Sequence, residues 1–129
     1  MPKKNGLRQS VYDSVRDAVR KTAQRAGEEA TLVPRSEHGH TRLRHRALVI
    51  NGKLVLIHHL TNCFQKGKRG VAYARTSIRR DILKKSAETV VHLAVPGFPE
   101  RTIYFRSREL LRQIFGDNTR AEKTLYLPL

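Results

Sequence analysis

The chain has 129 residues, 39% of them hydrophobic and 29% charged, which is the size and balance of one folded domain and excludes a disordered chain. Lys and Arg total 26 against 11 Asp and Glu, a formal charge of +15. A field of that strength favours polyanions: DNA, RNA or an anionic surface.

Residues 1–9 read as a basic flexible tail and 10–129 as a single nucleic-acid-binding α/β domain. From Ser10 the pattern is helical. Val11, Val15, Ala18, Val19, Ala23 and Ala26 fall on one stripe, with Arg and Lys between them. Ser10 is the expected N-cap, Asp13 stands at the capping-box position, and Gly27 is the expected stop. ATLVP (30–34) reads as a short strand ended by Pro34, and RSEHGHT as a loop. In RLRHRALVINGKLVLIHHLT, Asn51-Gly52 between two β-type runs marks a two-residue hairpin turn. That turn sets the register, so paired residue numbers sum to 103: Ile50 with Lys53, Val49 with Leu54, Ala47 with Leu56, His45 with His58, Arg44 with His59. QKGKRG (65–70) reads as a basic loop, VAYARTSI as a strand, and RRDILKKSAE as a short helix. TVVHLAVP reads as a buried strand stopped at Pro96-Gly97, and RTIYFRS as its return. SRELLRQIF reads as a helix with Ser107 as N-cap and Gly116 as stop, and KTLYLPL as a last strand. The expected fold is α/β (α+β): a single mixed sheet with a central Asn-Gly hairpin, flanked by helices.

Side chains alternate along a strand, so the hairpin register defines two faces. One carries Arg42, Arg44 and Arg46 opposite Thr61, His59 and Ile57. This ladder, continued by Lys66, Lys68, Arg69, Arg75, Arg79 and Arg80, is the candidate phosphate-binding stripe. From His38 to Arg80 there is no Asp or Glu, whereas an ordinary solvated surface mixes signs.

The other face pairs His45 with His58. Two cross-strand histidines suit an acid–base pair or a metal, but a metal needs a third ligand from a distant segment such as His38, His40 or His92. No metal and no cofactor is expected, and catalytic residues are expected to be none. Should the protein cut nucleic acid, His45, His58 and His59 are the candidates, with Glu37 as a carboxylate from outside the hairpin. His92 reads as a satisfied buried histidine and Cys63, the single cysteine, as structural. Trp is absent and the four Tyr and four Phe are scattered, which argues against a module built mainly on aromatic stacking.

No apolar run approaches the ~20 residues of a transmembrane helix. MPKKNGLRQS lacks the apolar stretch of a secretory signal. An intracellular, cytoplasmic protein without membrane contact is therefore expected.

The element order, with RALVINGKLVLIHHLTN as the hairpin and TIYFRSRELLRQIF as the strand and helix that follow, resembles the PD-(D/E)XK nuclease superfamily. The Holliday junction resolvase-like and group I intron-associated endonucleases are the nearest branch, and the resemblance spans roughly residues 8–127. It implies a restriction-endonuclease-like fold, duplex or branched DNA as partner, and a homodimer. The catalytic motif is degenerate. His58 stands at the Glu or Gln position, Leu60 at the Lys position, and Thr61 matches the following Thr. His45, Arg46 or Ala47 stands where the family has its Asp. Hard Mg²⁺ needs oxygen ligands, and this hairpin supplies no carboxylate. The expectation is thus a non-catalytic nucleic-acid-binding protein, DNA before RNA. An active nuclease and a structural ribonucleoprotein subunit are the alternatives.

Overall fold

A computed structural model describes residues 4–33, 46–65 and 70–129, with side chains from Val11 onward. The architecture is mixed α and β. The chain divides into two compact units, Met1–Ile57 and His58–Leu129. Among the described residues no helix is long and apolar enough to cross a membrane.

The first unit opens with helix α1, Lys4–Arg25. The helix starts upstream of the expected cap, so Ser10 lies inside it. Lys, Leu, Arg and Gln are good helix formers and carry the helix upstream once it exists. Asp13 accordingly pairs with Arg16 one turn on, at 3.1 Å, rather than closing a capping box. The expected stop holds. Gly27 takes φ 83°, its N–H reaches Gln24 O at 3.0 Å, and Glu28 N–H reaches Ala23 O at 3.0 Å. These two bonds satisfy the last carbonyls in a Schellman motif. Ala23 is buried and Val15 and Val19 are half-buried, while Val11, Ala18 and Ala26 are exposed. The buried stripe is narrower than the sequence pattern suggested.

Strands β1 (Ala30–Leu32), β2 (Ala47–Ile50) and the start of β3 (Lys53–Leu60) follow as an antiparallel meander. The pairs Ala47↔Leu56, Leu48↔Val55, Val49↔Leu54 and Ile50↔Lys53 reproduce the register set by Asn51-Gly52. Both turn residues have positive φ, 52° and 76°, as a type I′ turn requires. The Asn51 side chain accepts from Glu29 N–H at 3.0 Å while Asn51 N–H donates to Glu29 O at 2.8 Å, clamping the turn to the strand beside it. Leu48, Val55, Leu56 and Ile57 are buried.

The second unit begins inside β3 and continues with β4 (Phe64–Gln65), β5 (Ala72–Arg79), α2 (Arg80–Lys85), β6 (Glu88–Leu93), β7 (Arg101–Arg106), α3 (Ser107–Ile114) and β8 (Glu122–Pro128). It holds two layers of strands rather than part of one mixed sheet. The end of β3, β6 and β7 form one layer; β4, β5 and β8 form a separate three-stranded sheet in that order. β5 and β8 pair along their whole length, from Tyr73↔Pro128 to Arg79↔Glu122, with β-branched, aromatic or apolar residues at most positions and Arg79 opposite Glu122 at the end. The inner sides of the two layers meet in a core of Ala74, Val91, Leu93 and Leu127, edged by Leu60, Ile103, Phe105 and Leu125.

Ser107 does not cap α3. Arg106 holds the cap position without a side-chain bond, and Ser107 is fully buried. Its hydroxyl meets Ser86 Oγ at 2.7 Å and Thr89 Oγ1 at 2.9 Å, tying α2, β6 and α3 together.

Candidate nucleic-acid interface and histidine chain

Of the nine cations expected to hold phosphate, Arg42, Arg44, Lys66, Lys68 and Arg69 lie outside the described residues, as does His45. The other four have different surroundings. Arg46, in the first unit, places its guanidinium 4.1 Å over the Tyr12 ring. Arg75 and Arg79 lie in the second unit on one side of β5, because they are four residues apart on a strand of period two. Arg75 is exposed and packs 4.1 Å over the Phe64 ring, a cation–π contact that leaves its edge to solvent. Arg79 forks onto Asp81, with Nη2 3.2 Å from Oδ2 and Nε 3.3 Å from Oδ1. Burial of Asp81 would raise its pKa, but the Arg79 bond, backbone N–H groups and the guanidinium charge together hold it below its ordinary value. Arg79 is therefore a cation already shared with a carboxylate. Arg80 opens α2 half-buried, with Nε out of solvent and lacking a hydrogen-bond partner among the described residues.

The same side of β5 gathers aromatic rings. Tyr73 pairs with Phe64 of β4, their rings 5.9 Å apart and stacked. Tyr126 of β8, across from Arg75, meets Tyr73 edge-on at 5.6 Å. Tyr126 is 59% exposed. Three of the eight Tyr and Phe residues scattered in sequence are thus brought together in space. That alternation placed Tyr73, Arg75 and Arg79 on one side was readable from the strand; that β8 would supply Tyr126 was not.

The two histidines at the end of β3 part company, as alternation demands. His58 turns toward β5 and meets Thr76 Oγ1 at 3.3 Å. His59 turns the other way, onto His92 of β6: the rings stack, with Nδ1 to Nδ1 at 2.8 Å. His92 Nε2 lies 2.7 Å from Glu100 Oε1. A carboxylate only accepts, so His92 donates from Nε2. With His92 neutral, its Nδ1 accepts from His59 Nδ1–H, which leaves Nε2 as the acceptor atom of His59. Burial lowers the His59 pKa, the neighbouring His92 lowers it further, and Glu100 opposes both. The neutral imidazole is thus the favoured form of His59. His92 was expected to be satisfied and buried; it is satisfied but only half-buried, and its chain runs out to Glu100, whose side chain is 70% exposed. Glu100 escaped the sequence reading although the Pro96-Gly97 turn makes it a diagonal neighbour of His92, whose direct partner is Thr102. Cys63 is exposed rather than packed in a core.

Among the described residues no group of three His, Cys, Asp or Glu has the arrangement of a metal site. Comparison with family models, curated proteins and solved structures gave no match.

Proposed function

We propose that the protein binds nucleic acid, holding it mainly by its phosphates. The observation that carries this is the distribution of charge: a net +15, with ten Lys or Arg and no acid between His38 and Arg80. Arg75, exposed on a strand face shared with Arg79, is the described part of that segment best disposed for phosphate. The resemblance to PD-(D/E)XK nucleases supports the reading from another side. A restriction-endonuclease-like fold with His58 at the Glu or Gln position, Leu60 at the Lys position and His45, Arg46 or Ala47 at the Asp position would keep a basic saddle without the cutting centre. That likeness adds duplex or branched DNA as the partner and a homodimer as the working form. The test is binding of labelled duplex, four-way junction and structured RNA across a salt series. With ~6 to 10 phosphate contacts, affinity falls about 10³- to 10⁵-fold between 50 and 200 mM salt. A nearly salt-independent affinity overturns the reading.

A second reading, histidine-dependent cleavage of RNA, is favoured by the Glu100–His92–His59 chain. An imidazole kept neutral and oriented by a second imidazole and a carboxylate has the form of a general base. Cleavage in EDTA that disappears in His59→Ala, with binding retained, decides for it; intact substrate under every condition decides against it.

A further inference from the structure

Phe64, Tyr73 and Tyr126 come from three strands and meet on the side of their sheet that faces away from the core of Ala74 and Leu127. We infer that this face is a stacking platform for unpaired nucleobases, so that the strand it holds is single. The inference rests on the proposed nucleic-acid binding and puts an unpaired strand on this face, where the resemblance by itself suggested duplex or branched DNA. Aromatic pairs across strands also stabilise sheets. That role accounts for Phe64 and Tyr73, which cover one another. It does not account for Tyr126, which remains 59% exposed although its strand is paired along its length. The Phe64 ring is already covered by Arg75. Tyr126 meets Tyr73 only edge-on, with 63° between the planes, which leaves a face of Tyr126 open to a flat partner.

The charge beside the rings selects that partner. Arg75 is the open cation of the face; Arg79 is already forked onto Asp81, and Glu122 at the far end of the strand pair accepts from the Ser77 hydroxyl. A second copy docked on this same face would set Arg75 against its own like charge, so this face is not the one that suits a homodimer. A polyanion with flat, apolar rings at regular intervals meets both features: bases stack on aromatics whatever their sequence, and a phosphate meets Arg75. A duplex keeps its base faces inside its own stack and offers none to Tyr126.

The test measures anisotropy of fluorescein-labelled oligothymidylate, oligouridylate and a mixed-sequence duplex of equal length, with wild-type protein, Tyr126→Ala and Tyr126→Phe, over a salt series. Tyr126→Ala should bind both single strands about 5- to 100-fold more weakly. It should leave the salt slope and the duplex affinity unchanged, and Tyr126→Phe should bind as wild type. Wild-type tyrosine emission, undisturbed by Trp, should be quenched by oligothymidylate and not by the duplex, a readout that needs no variant. Equal loss for single strand and duplex, no loss at all, or absent quenching overturns the platform while phosphate binding stands. A dimer that Tyr126→Ala converts to monomer in sedimentation also overturns it, since the face then belongs to a second copy. Absence of salt-dependent binding to all three probes overturns the functional reading and the platform with it.

Discussion

The two sides of β5 carry different kinds of information. Inward, Ala74 and Ile78 are buried and Thr76 meets His58. Outward, Tyr73, Arg75, Ser77 and Arg79 form a row with nothing in common except polarity or a flat ring. The inner row fixes where the strand sits, since slipping it by one residue would bury Arg75 and expose Ala74. The outer row is released from that duty and is where chemistry can be placed. The largest effect that separates the two is on stability. Ile78→Ala empties a site that is 2% exposed and should cost about 2 to 5 kcal/mol in urea unfolding. At a concentration where the variant stays folded, its affinity for nucleic acid should be that of wild type. A loss of affinity without loss of stability would erase the distinction between the sides.

The buried hydroxyls extend the comparison, because polar groups also turn inward when they close on one another. Ser86 donates to Leu83 O at 2.8 Å and meets Ser107, which meets Thr89. Ser107→Ala removes the middle member and leaves buried hydroxyls short of a partner, at a cost of about 1 to 3 kcal/mol. If the unfolding midpoint does not move, water has entered the gap and the cluster is not closed. The outward row should answer in the opposite way. Arg75→Gln should leave the midpoint within ~0.5 kcal/mol, as exposed substitutions do. The same variant should make the salt slope of binding shallower by about one phosphate contact. Tyr126→Ala, by contrast, leaves that slope alone, so the two variants divide phosphate from base contacts on a single face.

What could be read in the sequence followed the range of the interactions. The hairpin was legible to the residue because Asn51-Gly52 sets a local register, and the described pairs obey it. The helix stops at Gly27 and Gly116 were legible for the same reason, both having positive φ. Ser107 was misread as a cap because a hydroxyl before an apolar run looks the same whether it faces a helix end or two other hydroxyls, and Ser10 because nothing in the apolar pattern marks a helix that already runs from Lys4. The second sheet was missed because β5 and β8 meet across a long stretch of chain, and nothing near Val71 announces KTLYLPL. His59 meeting His92 had the same obstacle, a separation of 33 residues. Glu100 did not: its turn was visible, and it could have been placed beside His92 by counting.

The smallest expected effect concerns His59, whose ring is partly solvated and so partly screened. Burial first, and then His92, makes the folded protein resist protonating this imidazole, against the pull of Glu100. The unfolded chain has no such resistance and takes up its proton around the ordinary value of 6.5. Between the lowered folded value and 6.5 the unfolded state therefore holds more protons, and stability rises with pH. The contribution is complete above 6.5 and is lost as the pH falls through the folded value. The urea midpoint should thus decline on acidification from neutral, and His59→Gln should flatten the decline. Glu100→Gln should steepen it, because the carboxylate that favours the imidazolium is gone while the amide oxygen can still accept from His92. Opposite responses from two residues joined through His92 require the chain to act as one electrostatic unit. If both variants flatten the profile, Glu100 is only a surface acid with its own titration, and the histidines stand apart from it.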